Sequence, residues 1–306
     1  MKNLINEIQQ IKLDKNIIII SSFITPLEIQ EVSDYVGDFR GLYKSLKSED
    51  KKMIFYVGPD YLANLLTISF PGKFFFKITN NIECSLLKNV SSIEINELIR
   101  NNPFSKIAAY YKNEPKILYK ADYIFDDTNS LETISKIKEK QIILLSDYNI
   151  GYYISTNFKP ENKNFTYNFI ITHVFCNPLY NVKLNYLQII KIKHPKAKII
   201  IHPESNYHLH SLAHKILGYT KLYEYLLTAK DKSEFILIYP KNFIKKLKKD
   251  FPNLIFFKPD VNLKCFSIND FSLEDVKKEI LKLNYRVILP EEYIFKINKK
   301  LKNIVI

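Results

Sequence analysis

At 306 residues, 46% hydrophobic and 25% charged, the chain has the length for a large core or several domains and the composition of a globular protein. No apolar run nears the ~20 residues that span a bilayer, and the polar stretch Met1–Lys15 lacks the apolar centre of a signal peptide, so a cytoplasmic protein with no membrane partner is expected. The net charge of +13 raises a polyanion partner, but the lysines are spread along the chain beside abundant Ile, Asn, Tyr and Phe, which reads as an AT-rich codon bias rather than a nucleic-acid surface.

Strand-length β-branched runs alternate with segments of helical periodicity. Ile17–Ile20, Met53–Val57 and Lys73–Ile78 read as strands, with helices near Pro26–Tyr35 and Tyr61–Ser69, and Cys84 follows. A second set comprises Lys106–Tyr110, Tyr123–Phe125, Gln141–Leu145 and Asn168–Val174, followed by Cys176. The third holds Lys198–Ile201, a short piece at Ile216–Leu217, Phe235–Tyr239 and Leu254–Phe257, followed by Cys265. Between the last of these, Lys241–Lys249 places Phe243, Ile244 and Leu247 at helical spacing, which makes an amphipathic helix with a solvated basic face.

From Ile17, Ile107 and Lys198 in the first strand of each set to its cysteine the distance is 67, 69 and 67 residues. Such alternation predicts parallel sheets, in which ligands gather beyond the carboxyl ends of strands. A period this regular predicts three related units around a pseudo-threefold axis, each delivering one cysteine to a shared centre. The cysteines are 92 and 89 residues apart, so no local zinc motif joins them. Two readings stay open on spacing alone: three buried apolar cysteines, or thiolates sharing an iron–sulfur centre.

Further motifs resemble the quinolinate synthase family over nearly the whole chain. Pro26-Leu-Glu-Ile-Gln30 and Ser33-Asp-Tyr-Val-Gly-Asp38 are similar to its Pro-Glu-x-Gln and Ala-Asp-Phe-Val-Gly-Asp stretches. Val57-Gly-Pro-Asp-Tyr-Leu-Ala63, Glu83-Cys84-Ser85-Leu86, Ser146-Asp-Tyr-Asn-Ile-Gly-Tyr-Tyr153, Cys176, His194–Ile201 with His202-Pro-Glu204, Lys246–Pro252 and Cys265 follow in the family's order. The resemblance implies an α/β fold of three stacked α/β/α domains with parallel sheets, here 1–86 with the tail 280–306 packing back, 87–178 and 179–279. It implies a 4Fe–4S cluster on Cys84, Cys176 and Cys265 with one iron left open. It implies condensation of iminoaspartate with dihydroxyacetone phosphate to quinolinate in NAD biosynthesis, with an iminoaspartate-supplying enzyme as partner. His202 and Glu204 would handle protons and substrate, and Tyr110 and Thr220 would bind substrate.

Several pocket positions depart from the family. Ser21-Ser22-Phe23 lacks its first-strand His, Phe39 replaces a substrate-binding Ser, and Leu179 replaces a His after the second cysteine. Tyr-x-Asn becomes Tyr110-Tyr111-Lys112, or slips to Asn113, and a Thr-Glu pair becomes Tyr239-Pro240. Thr-Ser-Ser becomes Asp126-Asp127-Thr128, a negative charge where an anionic substrate would sit, and Gly-Ser-Thr becomes Gly218-Tyr219-Thr220. Thr220 reads equally as a cap for a helix starting near Lys221, and Asp147 and Asn149 as residues of a strand-to-helix turn. His208, His210 and His214 read as solvated on one helix. Retained thiols with lost pocket residues keep two alternatives in view: a non-catalytic or altered-substrate cluster-binding homologue, and a basic nucleic-acid-binding protein.

Overall fold

The computed structural model describes residues 2–79, 82, 84, 91–160, 166–261, 263–265 and 270–305. Glu83, Ser85 and Leu86 of the first cysteine motif lie outside the described residues. The chain opens with α1 (Lys2–Asp14), β1 (Ile17–Ser22), α2 (Leu27–Val32), β2 (Tyr35–Gly37), α3 (Phe39–Lys47), β3 (Met53–Val57), α4 (Asp60–Ser69) and β4 (Phe74–Lys77). It continues through α5 (Ser92–Asn101), β5 (Lys106–Tyr110), α6 (Pro115–Lys120), β6 (Tyr123–Phe125), α7 (Ser130–Ser135), β7 (Gln141–Leu145), α8 (Tyr148–Asn157) and β8 (Asn168–Ile171). The third stretch has α9 (Asn177–Tyr180), α10 (Leu184–Lys193), β9 (Lys198–Ile201), a 3₁₀ turn (Tyr207–Leu212), β10 (Lys215–Ile216), α11 (Tyr219–Leu227), β11 (Glu234–Ile238), α12 (Lys241–Asp250) and β12 (Ile255–Phe257). It closes with α13 (Leu273–Lys282), β13 (Tyr285–Arg286) and α14 (Glu291–Val305).

The strands form three sheets, ordered β13-β4-β3-β1-β2, β6-β5-β7-β8 and β10-β9-β11-β12. Each therefore contains the same parallel arrangement, second–first–third–fourth. Only β13, antiparallel to β4, departs from it. The central strands are apolar and, beyond their first residues, buried; all six residues of β1 are buried. That is the pattern of parallel strands covered by helices on both faces, where β-branched side chains pack well.

The repeat extends to single hydrogen bonds. Just before the second strand of each unit, one side chain accepts from the first strand's backbone: Asp34 from Ile19 N at 2.8 Å, Asp122 from Ile107 N at 2.9 Å, His214 Nδ1 from Ile199 N at 3.1 Å. At the start of the third helix, the N–H of Asp60, Tyr148 and Lys241 donates to the carbonyl of Ile82, Val174 and Leu263 at 3.0, 2.7 and 3.0 Å. Those carbonyls stand two residues before Cys84, Cys176 and Cys265. One backbone bond, used three times, fixes the approach of each cysteine.

Three sequence-based expectations change. The helix expected over Pro26–Tyr35 ends at Val32 and gives way to β2, because the clasp at Asp34 recruits Tyr35–Gly37 into the sheet edge. The strand expected over Asn168–Val174 stops at Ile171, and Val174 makes only an isolated bridge to Asp147. The three histidines do not share a helix: the 3₁₀ turn holds His208 and His210, and His214 lies beyond it. His210 is not a solvated residue, since its Nε2 reaches Ser205 O at 3.2 Å and burial pushes its pKa down to about 4.

The C-terminal segment returns to the start of the chain. α13 packs on α1 and α2, and α14 packs on α3 and α4 of the first unit and on α6 and β6 of the second. Among the described residues no helix is long and apolar enough to cross a membrane.

Candidate functional site

In a sheet ordered second–first–third–fourth, the chain leaves the first and third strands in opposite directions, and a crevice opens beyond their carboxyl ends. The three crevices meet in one cavity of about 620 Å³ of empty space. The first unit lines it with Ser22, Phe23, Ile24, Asp38, Pro59, Tyr61 and Cys84, and the second with Tyr111, Lys112 and Cys176. Pro178, Glu204, Tyr219, Pro240 and Cys265 complete the wall.

Local backbone chemistry holds these loops. Gly58 takes φ +155°, and a Cβ there would lie 2.2 Å from the Tyr56 hydroxyl, so only glycine turns the chain sharply enough to bring Pro59 to the wall. Gln30 Nε2 donates to Phe23 O at 3.1 Å and Thr25 O at 2.8 Å, and shapes the loop after β1. Asn113 Nδ2 donates to Tyr110 O and Leu145 O, both at 2.8 Å, and staples the ends of β5 and β7.

All three cysteines are half-buried and line the same cavity. Burial raises the Cys176 and Cys265 thiols, Cys265 to about 12, and the nearby Cys84 adds to both shifts. Among the described residues no three His, Cys, Asp or Glu side chains stand close enough to hold a single metal ion. The three thiols that line the cavity are soft donors of the kind an iron–sulfur cluster takes, each on a different iron. Apolar walls at Ile24, Pro59, Pro178 and Pro240 suit such a group, which depends on excluded water. The donor set fits an iron–sulfur cluster.

The same cavity wall carries a buried ion pair. Lys112 Nζ stands 2.7 Å from Glu204 Oε1, with side chains 6% and 3% exposed. Burial opposes both charges, yet Glu204 raises the lysine's pKa well above its ordinary value, and Lys112 followed by His202 holds the glutamate below its own. The rings of Tyr110, Tyr111 and Tyr219 surround the ammonium at 5.7, 5.9 and 5.7 Å, a cation–π cage. Behind Glu204, His202 is fully inaccessible; its Nδ1 accepts from Glu204 N at 3.2 Å, and its Nε2 faces Asp127 Oδ2 at 3.5 Å.

Asp147 and Asn149 do shape the β7–α8 turn, and they also brace two units. Asp147 accepts from Asn149 N at 2.8 Å and from Cys176 N at 2.7 Å, while Asn149 Nδ2 donates to Glu204 O at 3.2 Å. One chain of bonds thus runs from Glu204 to a cysteine. Burial, followed by the Glu204 charge, pushes Asp147 up to about 8.

The structure brings Cys84, Cys176, Cys265 and Glu204 to the cavity, with His202 directly behind. Tyr110 is fully buried beneath it, its ring edge-on to Tyr111 at 4.9 Å, and Tyr111 takes the wall instead. Thr220 lies on the first turn of α11, whose cap is Gly218, and its hydroxyl donates to Asp38 Oδ1 at 2.7 Å. Phe39 is buried against Tyr43 and Tyr111, and Leu179 is fully buried in the third unit's core. Sequence reasoning overlooked Lys112 and Arg40. Lys112 stands two residues past an apolar strand, a place that solvated lysines share, so the sequence carried no signal that singled it out. Arg40 pairs with Asp126 through Nε and, at 3.2 Å, through Nη2.

Fold and site together define a class: triple α/β proteins whose three units converge on one thiol-bearing centre. The family described as Quinolinate synthetase A protein matches residues 6–305, and the chain belongs to it. The chain is 25% identical to the quinolinate synthase of Clostridioides difficile (strain 630) over 302 residues, 99% of this chain and 97% of that protein. It is 26% identical over 287 residues to the quinolinate synthase of Caldicellulosiruptor bescii, covering 94% of this chain and 92% of that protein. Quinolinate synthase 2 of Methanosarcina acetivorans is 22% identical over 295 residues, 96% of this chain and 93% of that protein.

Proposed function

We propose that the chain is a cytoplasmic quinolinate synthase that condenses iminoaspartate with dihydroxyacetone phosphate, releasing phosphate and two waters. The observation that carries this reading is the thrice-used backbone bond that presents Cys84, Cys176 and Cys265 to one cavity. These three would hold a 4Fe–4S cluster, which supplies a Lewis-acidic iron for polarising a substrate oxygen. In this reading the three sheets mark domains 1–86, 87–178 and 179–279, with the tail 280–306 returning to the first; the packing of α13 on α1 and α2 supports counting its residues with that tail.

The chain's own residues have distinct parts. Glu204, held ionised by Lys112, accepts a proton at its carboxylate. His202 positions it: Nδ1 accepts from the Glu204 backbone N–H and leaves Nε2 to face Asp127. Lys112 binds a substrate carboxylate by exchanging partners with Glu204. Burial keeps the Tyr61, Tyr111 and Tyr219 phenols protonated, so they serve as neutral donors while their rings exclude water.

A second reading, a cluster-binding homologue with a changed substrate, is favoured by the acidic residue Asp38 on the cavity wall and by Asp127 beside His202. Anaerobic reconstitution with iron and sulfide tests both. Broad visible absorption lost in each Cys→Ser variant, together with quinolinate release from the two substrates, establishes the enzyme. Absorption without quinolinate selects the changed substrate, and no absorption at all refutes both.

A further inference from the structure

The first and third units treat their equivalent sheet edges differently. In the first unit, α1 leads into β1 and β4 stands at the edge of the sheet core. The chain's own C-terminal segment covers both: α13 packs on α1, and β13 pairs antiparallel with β4. In the third unit, α10 leads into β9 and β12 stands at the edge in the same way. Among the described residues no strand pairs with the outer side of β12, and a groove with about 1120 Å³ of empty space runs between β12 and α10.

The repeat also gives the hydrogen-bond register of that open edge. Ile255 N donates inward to Ser233 O at 3.0 Å, as Phe74 N donates to Lys52 O at 2.7 Å. Backbone groups of successive residues in a strand point to opposite sides, so Phe256, like Phe75, turns its N–H and C=O outward. Phe75 O accepts from Val287 N at 2.8 Å; Phe256 presents the corresponding carbonyl to the groove. Such an edge is a template for a further strand. The facing wall is apolar, with Tyr186 and Ile189 of α10 exposed on it. Two lysines, Lys193 and Lys258, line the groove against one acidic residue, Asp260. The basic lining and the net charge of +13 oppose a second copy of the chain and favour an acidic occupant.

We infer that the groove between α10 and β12 docks an extended segment of a partner protein, added antiparallel to β12, with acidic side chains toward Lys193 and Lys258 and apolar ones on Tyr186 and Ile189. Side chains of a strand alternate between its faces, so a segment alternating acidic and apolar residues meets both requirements. This surface lies outside the cysteine-lined cavity and needs neither the cluster nor turnover. The test is fluorescence anisotropy of the full chain with a labelled peptide of alternating Glu and Val, seven residues long in about the length of an ordinary strand. The peptide is expected to bind wild type, and the variant Lys193→Glu, Lys258→Glu to bind it at least about tenfold more weakly, because like charges then meet. Two further peptides, N-methylated at every Val or at every Glu, keep the test decisive if that variant does not fold. Only one of them turns its methylated edge toward Phe256, so one is expected to lose binding while the other keeps it. No binding by the parent peptide, or equal binding by both methylated forms, overturns the inference, whatever the outcome for quinolinate release. So does a dimer in sedimentation of the protein alone that Lys193→Glu, Lys258→Glu changes, since the occupant is then a second copy.

Discussion

Lys112 and Glu204 show how one contact controls both stability and chemistry. Removing either partner of a buried pair strands the other charge, at about 3–5 kcal/mol. Lys112→Met is therefore expected to lower the denaturation midpoint of the cluster-free protein sharply. The double variant Lys112→Met, Glu204→Leu is expected to recover much of that loss, and urea titration of the three proteins measures it. His210 gives a second prediction. Its pKa falls from 6.5 to about 4 on folding, chiefly through burial. A depressed histidine contributes stability that is present above pH 6.5 and is lost as pH falls toward 4. Urea midpoints measured across that window should fall less steeply for His210→Gln than for wild type. Neither residue was legible in the sequence. A lysine after a strand and a histidine in a His-rich stretch have solvated counterparts everywhere, and only the partner supplied by a distant segment separates the cases.

Among the elements, the long apolar strands were legible because parallel strands covered on both faces admit only apolar residues. Met53–Val57, Lys106–Tyr110 and Gln141–Leu145 have the bounds their sequences predict. β2 and β13 were not legible: three and two residues long, they owe their pairing to Asp34 and to β4 rather than to composition. The three cysteines were legible as a set, since period and motif order agreed, whereas the substitution of Tyr111 for Tyr110 at the cavity wall depends on how the strand end is stapled by Asn113. α14 carries the test at this scale. Ile297, Leu301 and Ile304 are buried between the first and second units. Leu301→Ala is expected to cost about 2–5 kcal/mol, and a melting curve read from circular dichroism checks it.

In the whole molecule, the equivalent positions of the three cysteines separate folding from cofactor binding. The anchoring bonds run between backbone groups, Asp60, Tyr148 and Lys241 to Ile82, Val174 and Leu263, and do not involve sulfur. Cys84→Ser, Cys176→Ser and Cys265→Ser are therefore each expected to leave the melting curve of the cluster-free protein unchanged while removing the absorption of the reconstituted one. Unequal losses of stability among the three would show that the units are not equivalent.

The return of the C-terminus has a consequence for how the molecule is made. Chains emerge from the ribosome amino end first, and domains generally fold in that order. Here β13 finishes the edge of the first sheet, and α14 covers α3 and α4 only after some 200 further residues have been synthesised. The first unit to emerge is thus the last to be completed. Its unpaired β4 edge and uncovered helices must stay shielded until β13 and α14 have emerged.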